Sequence, residues 1–395
     1  MNKTLIKYDL DSCKHCAKCI RVCPTEAIWR QNNAIRIDAN KCINCGLCVV
    51  TCDKKGLSVE NAHLSETLNT FDYTVALIPG SFFAHAMSHE EAGQMLQAIQ
   101  NLGFDEVINY SDVEGALYLA SIERVKEDDE LKIASFCPVI NALIQKQFPM
   151  LKDQLLDLDY PVEVAAKKAR QRLEKYYSNV GIYSLCDCIS KKALAKAPFG
   201  NEKSNIDYAM SISHIFPKAN KAKDNRSQET KLCREGIASV CSDFYHYYQE
   251  EKSVVSVTGI SSCIKALELA EFGQLDEIGL LGLFPCQSGC IGGHYLWTNP
   301  LVGRLHLDKL SSKAMTPVAS LEGIDLERED DVEELPHENL KERMMKFNRI
   351  NAILETLPQF DCGACGYANC RALAEAIDAN QASASICRVK GEGGV

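Results

Sequence analysis

The sequence predicts three modules: a small α+β module, then an α/β module, then a small helical one. Three observations predict this order. The cysteines fall into groups, with eight between Cys13 and Cys52, eight scattered from Cys137 to Cys290 and four from Cys362 to Cys387. The first group lies in a repeat, CKHCAKCIRVCPTEAI recurring as CINCGLCVVTCDKKGL, which reads as two similar halves of one domain. The middle alternates apolar strand-like runs with helical patterns, as parallel sheets covered by helices require.

Length and composition set the outer limits. The 395 residues can bury a sizeable core and divide into two or three domains. A net charge of -10 disfavours nucleic acid and anionic membranes as partners. Twenty cysteines in a small secreted chain would read as a disulfide framework. This chain is long, and its start, MNKTLIKYDLDSCKHC, has no apolar signal core. The longest apolar stretch, near Ile278 to Pro285, is too short to span a bilayer. The expectation is a cytoplasmic protein with reduced thiols, where metal ligation leads. The domain expectation is 1–62, 70–320 and 341–395.

The first module reads C-x2-C-x2-C-x3-C twice, at Cys13, Cys16, Cys19 and Cys23, then at Cys42, Cys45, Cys48 and Cys52. Pro24 follows the first set and Asp53 the second. This is the bacterial two-cluster ferredoxin spacing, in which the fourth cysteine of each run ligates the other cluster. One 4Fe–4S cluster is expected on Cys13, Cys16, Cys19 and Cys52, the other on Cys42, Cys45, Cys48 and Cys23. Three thiolates from one tight loop wrap a cube, and the distant fourth pins the halves together. Zinc also accepts four thiolates, but its motifs supply them in pairs. Strand-like runs, Ala34–Ile37 and Leu57–Val59, follow the two halves.

In the middle, strands are expected at Tyr73–Ile78, Leu131–Ala134, Val180–Ser184, Ile206–Ile212, Val254–Thr258 and Ile278–Phe284. Helices are expected at Glu90–Leu102, Val162–Tyr177 and Ser262–Phe272. Pro217–Lys231 is polar and reads as a surface loop, and acidic Glu322–Leu340 as a connector. Cys137 and Cys188 end strand-like runs, and Cys286 and Cys290 follow the last strand on a glycine-containing turn. Loops at the carboxyl ends of parallel strands are where α/β folds hold ligands. Four thiolates converging there suit a fourth cube.

The last module follows a helix expected over Lys341–Leu357. Its cysteines run C-x2-C-x4-C at Cys362, Cys365 and Cys370, with Cys387 beyond a helical stretch. Gly363 and Gly366 permit tight turns around a cube. A 4Fe–4S cluster is expected, with a zinc knuckle as the competing use.

The central loops resemble those of the [FeFe]-hydrogenase family, which read T-S-C-C-P, P-C-x-x-K and C-x-x-G-C-x-x-G-G. The matching residues are Cys137-Pro138, Cys188-Ile189-Ser190-Lys191, and Cys286-Gln287-Ser288-Gly289-Cys290 through Gly293. Residues 1–60 resemble the family's ferredoxin domain and 70–310 its catalytic domain, and Pro198–Asp207 (PFGNEKSNID) is similar too. The C-terminal motif resembles the family's sensory branches. The resemblance implies a ferredoxin-like domain, a two-lobed α/β domain gripping a cluster between its lobes, and a small helical iron–sulfur domain. It implies a cube on Cys137, Cys188, Cys286 and Cys290, with Cys290 bridging to a two-iron unit that bears CO and cyanide. Lys191 would donate to one cyanide, and Ser81, in IPGSFF, would contact the other. The implied chemistry is 2H⁺ + 2e⁻ ⇌ H₂, with electrons passing through the ferredoxin clusters.

Several positions depart from that pattern. Phe136 stands where a proton-relaying cysteine precedes the first ligand, and Gly282 where a relay glutamate is expected. Asp187 replaces a proline, Phe284 a methionine and His294 a glycine, and Cys186 sits where methionine or serine is common. A missing acid–base relay costs about 10²–10⁴-fold in rate. Two readings follow. One is a slow or H₂-sensing protein of hydrogenase type. The other is a non-catalytic electron-transfer subunit with four 4Fe–4S clusters and no two-iron unit. Retained Lys191 and Ser81 favour the first; Phe136, Asp187 and Gly282 favour the second. Expected partners are a redox protein, either a ferredoxin or a subunit of a larger complex, and for a sensor a signalling protein. Cys233, Cys241 and Cys263 read as buried small hydrophobes. His85, His89, His214 and His246 form no metal spacing. Cys186 is an alternative ligand or relay, and His294 is a loop histidine with proton-carrying capacity. No nucleotide-binding loop is present, and Tyr245–Tyr248 in an acidic chain does not suit nucleic-acid stacking.

Overall fold

The computed structural model describes residues 4–126, 130–196, 198, 200–243, 253–275, 277–312, 315–328 and 340–389. Its contacts gather the chain into two units, 1–60 with 333–395, and 61–332. Tyr245–Tyr248, His246 and most of the acidic connector lie outside the described residues.

In the first unit the sequence repeat becomes a structural one. Short helices Lys18–Val22 and Leu47–Val50 contain the third cysteines of the two loops, Cys19 and Cys48. Strands Ile28–Gln31 and Ala34–Ile37 form an antiparallel hairpin, and Lys7–Tyr8 pairs antiparallel with Leu57–Ser58. Ile6, Ile20, Ala27, Ile28, Ile35 and Leu57 make the core between them. The C-terminal part has helices Leu340–Glu355 and Cys370–Asp378 and a single turn at Ala384–Ile386. Asn369 caps the second helix by accepting from the Ala372 N–H at 2.7 Å. The helical pattern expected up to Cys387 is shorter here, because Asn380 takes a left-handed φ of 57° just past the helix.

Among the described residues the second unit holds two larger parallel sheets and a short parallel pair, Leu232–Cys233 with Met315–Thr316. Four strands run in the order Glu106–Asn109, Tyr73–Ile78, Val180–Cys186, Tyr208–Ser211, and three in the order Ser253–Thr258, Ile278–Phe284, Lys132–Ile133. Tyr73–Ile78 and Ile278–Phe284 match the sequence expectation, and the strand expected at Ile206–Ile212 is confined to Tyr208–Ser211. Val75, Leu77, Val180 and Ile182 face one buried layer; Ala76, Ile78, Tyr183 and Leu185 face the other. The alternation follows from the two-residue period of a strand buried on both sides. Helices cover the sheets, including His89–Gln100, which is capped by Ser88, and Pro161–Leu173, which opens on a proline. Ser111–Lys126 packs closely on Arg234–Val240, since a Cβ on Gly236 would lie 1.8 Å from the Ser111 carbonyl oxygen.

Two sequence expectations are corrected. Pro217 opens no loop; it lies inside helix Ile212–Lys221, whose buried Ile212, Ile215 and Ala219 carry a helical period that starts before the proline. The stretch 322–328 is packed, not a free connector. Ile324 and Leu326 lie on the core, and buried Arg328 donates to the Leu156 carbonyl at 3.2 Å. No helix among the described residues is long and apolar enough to cross a membrane.

Candidate iron–sulfur centres

None of the twenty cysteines is in a disulfide. In the N-terminal part each loop bends through the same left-handed positions. His15 and Ala17 have φ of 53° and 58°; Asn44 and Gly46, in the second half, have 50° and 79°. These bends curl each short loop back on itself. Each set has cysteines from both halves among its electrostatic neighbours. Burial raises the Cys19 thiol to about 11, with Cys13, Cys16 and Cys52 adding to it as charged neighbours. Burial raises Cys45 to about 12, and its charged neighbours are Cys23 and Cys42. Backbone N–H groups turn toward sulfur, His15 to Cys13 at 3.4 Å and Ala27 to Cys23 at 3.3 Å. Such donors stabilise the charge of a ligated thiolate.

In the C-terminal part Gly363 and Gly366 take φ of 68° and 98°. Burial raises the Cys365 thiol, and Cys387 and Cys362 are its charged neighbours. Cys362 is exposed and Cys387 buried.

The central cysteines sit where strands end. Cys137 caps helix Pro138–Gln147 just past Lys132–Ile133, and Cys188 caps Ile189–Leu194 just past Val180–Cys186. Cys286 and Cys290 follow Ile278–Phe284, with Gly289 at φ 80°. A Cβ on Gly289 would stand 2.5 Å from the Val240 carbonyl oxygen, so this loop is seated tightly. Burial is the main cause holding the Cys137, Cys188 and Cys290 thiols above their usual range. Cys137 and Cys286 are charged neighbours of Cys290, and Cys286 of Cys188. Among the described residues, no three His, Cys, Asp or Glu side chains close on one point as a single ion requires. A cube instead takes its thiolates at four separate corners.

Ser81 and Lys191 both reach this site, and both turn to Asp187. The Asp187 Oδ2 accepts from Ser81 Oγ at 2.6 Å and from Lys191 Nζ at 2.8 Å. Ser81 and Asp187 are buried and Lys191 nearly so. Burial opposes the Lys191 charge, but Asp187 first, then Cys290, Tyr110 and Glu114, raise its pKa above the usual lysine value. Phe136 and Phe284 pack ring against ring beside Cys137, with centroids 4.8 Å apart. In the sequence Asp187 reads as a replaced proline that favours the reading without a two-iron unit, with no partner of its own. Its spacing of four from Lys191 at a helix start is the signal that pairs them. Glu114 was missed altogether. It accepts from the Gly80 N–H at 2.9 Å, and burial raises its pKa to about 8 against the pull of Lys191. A carboxyl within a helical pattern gives no sequence sign of such burial.

The residues set aside are placed as follows. Cys186 lies in its strand with the Ser184 hydroxyl 3.3 Å from its sulfur, and burial raises its thiol to about 12. Cys233, Cys241 and Cys263 are buried. Burial lowers the His294 pKa, and Asp187 acts against that. His85 stacks on Trp297 at 3.7 Å.

The donor chemistry fits cubes at all four cysteine sets. It fits a cyanide-bearing two-iron unit less well, because Lys191 and Ser81 both donate to the Asp187 carboxylate and Phe136 packs on Phe284 beside Cys137.

Three stretches of the chain match known families. Residues 5–53 match the family described as a 4Fe-4S dicluster domain, 357–389 match a putative Fe-S cluster family, and 74–217 match the iron only hydrogenase large subunit, C-terminal domain. The third central loop, Cys286–Gly293, lies beyond that last match. Among solved structures, an apo form of an [FeFe]-hydrogenase HydA1 variant from Chlamydomonas reinhardtii is 13% identical, covering 73% of this chain and 92% of its own, at a TM-score of 0.46. A structure described for oxygen inactivation of [FeFe]-hydrogenase is 14% identical over 70% of this chain and 89% of that one, at 0.45. No curated protein matches.

Proposed function

We propose that this [FeFe]-hydrogenase-like iron–sulfur redox protein works as an electron-transfer subunit with four 4Fe–4S clusters, its central site keeping the cube without a two-iron unit. The observation that carries the reading is the Asp187 carboxylate accepting from both Lys191 and Ser81. A buried lysine needs an anion, and here the chain supplies its own. Each cube, when bound, supplies one-electron exchange. The protein's part is to hold thiolates in place, to turn N–H donors toward sulfur, and at the centre to balance charge with Lys191. Phe136 and Gly282 offer no proton donor at the positions where the resemblance implies a relay. The proposed setting is the reducing cytoplasm of an anaerobe, and the proposed partner a one-electron carrier protein, a ferredoxin or a subunit of a larger complex.

The hydrogen-linked reading retains one supporting observation. Ser81 and Lys191 converge on a single point, so displacement of the Asp187 side chain would leave two donors aimed at one anion. In that case the protein turns over or senses H₂ slowly and signals through a partner. Infrared spectra of anaerobically matured protein separate the two. The expected result is no band from metal-bound CO or cyanide, with about sixteen irons per chain, four per cube. Such bands would overturn the electron-subunit reading and restore the hydrogen-linked one.

A further inference from the structure

The two ends of the chain are docked on each other within one unit. The docking edge is the hairpin strand Ile28–Gln31. Arg30 lies opposite Ile35, but its N–H turns away from the hairpin and donates to the Gly366 carbonyl at 2.8 Å. The fit is close, since a Cβ on Gly366 would lie 2.8 Å from the Arg30 carbonyl oxygen. Trp29 packs on the C-terminal core of Ile350, Leu357, Tyr367 and Leu373, and Ala368 packs back on the N-terminal core. Asn369 donates to Glu26, and Lys41 pairs with Glu375 at 3.0 Å. Apolar packing, strand-edge pairing and side-chain bonds all join the same two surfaces.

These contacts sit beside cluster ligands. Gly366 follows Cys365, and Asn369 precedes Cys370. On the other side Glu26 lies three residues past Cys23, and the Ala27 N–H points at the Cys23 sulfur at 3.3 Å. Lys41 precedes Cys42. The bonds thus fall on Glu26, Arg30 and Lys41, which lie near Cys23 and Cys42 in the chain, members of one cross-paired set, rather than near Cys13, Cys16, Cys19 or Cys52. Meanwhile Cys362 is exposed.

From this we infer that the C-terminal cluster is the outer member of a relay whose next member is the cluster on Cys42, Cys45, Cys48 and Cys23. The inference rests on the four-cluster reading above. The step moves one electron. The C-terminal cluster goes from its 1+ to its 2+ state as its neighbour goes from 2+ to 1+. No bond or proton is exchanged, and a one-electron donor protein re-reduces the C-terminal cluster from the Cys362 side.

The test uses the full-length, anaerobically reconstituted protein. Electron paramagnetic resonance of the fully reduced form should show the C-terminal cluster magnetically coupled to a neighbour. Cys387→Ala should remove that component and about four irons. Trp29→Ala combined with Arg30→Pro, which removes the packing ring and the edge N–H, should keep the iron and leave an uncoupled C-terminal signal. Hydrogen exchange gives a second readout free of the clusters' spectra. The Arg30 amide should exchange about 100-fold slower than an open amide in the unsubstituted protein, and about tenfold faster in Trp29→Ala than without it. An uncoupled C-terminal signal in the unsubstituted protein overturns the relay and leaves the four-cluster reading intact, as does an unprotected Arg30 amide. Iron content unchanged by Cys387→Ala overturns the four-cluster reading, and the relay with it.

Discussion

The terminal unit and the central domain handle their thiols differently. In the terminal unit Cys16 and Cys362 are exposed, the N–H groups of His15 and Ala27 and the Thr25 hydroxyl turn to sulfur, and the charges beside Cys16 and Cys52 are the exposed Lys18–Asp53 pair. In the central domain the cysteines share their surroundings with the Asp187–Lys191 ion pair and the Glu114 carboxyl, all buried or nearly so. Dipoles suffice near water, where solvent screens the clusters. Away from water each charge must be balanced by another. The difference teaches that the terminal cysteines lie partly at the surface, while the central ones share an enclosed setting with a buried ion pair.

That contrast can be broken at its strongest point first. Asp187→Leu leaves Lys191 buried without its carboxylate and should cost the central domain about 3–5 kcal/mol, read as a fall in the urea midpoint by circular dichroism. Asp187→Leu combined with Lys191→Met should recover most of the loss. The exposed Lys41–Glu375 pair offers the counterpart in the terminal unit. Lys41→Met should cost no more than about 1 kcal/mol. Equal losses at the two places would remove the distinction.

The next effect is a pH dependence. Glu114 has a folded pKa of about 8 against an ordinary 4.5, so between those values the folded chain holds a proton that the unfolded chain has released. Its contribution is therefore complete below pH 4.5, declines as pH rises toward 8, and is lost above. Glu114→Gln keeps an acceptor for the Gly80 N–H and should flatten this slope, making the domain relatively more stable at pH 8 than at pH 5. Urea midpoints at the two pH values check it; an unchanged slope would place the titration elsewhere.

The smallest effect compares the two halves of the repeat. Ala17 holds a φ of 58° where the second half has Gly46 at 79°. Ala17→Gly should stabilise the terminal unit by about 0.5–1 kcal/mol, and Gly46→Ala should destabilise it by about 1 kcal/mol. The rate of cluster bleaching on heating reads both signs.

How much was legible beforehand varies with how local the signal is. The cross-paired sets around Cys19 and Cys45 follow from spacing, because three ligands of a cube come from one loop. The strands Tyr73–Ile78 and Ile278–Phe284 follow from continuous apolar runs buried on both faces. Pro217 misled, because a helix already begun at Ile212 carries a proline that its pattern would otherwise exclude. The role expected for Lys191 and Ser81 came from resemblance, and the side chain that redirects both, Asp187, is not part of that resemblance.

By itself, then, the sequence determined where the cysteine loops lie at the two ends and where the parallel strands run, since both depend on residues close along the chain. Tertiary structure decided that Asp187 answers Lys191 and Ser81, that Glu114 is sealed from water, and that the last cysteine module rests against the first hairpin. Those outcomes depend on burial and on contacts between distant segments, and neither leaves a periodic mark in the order of residues.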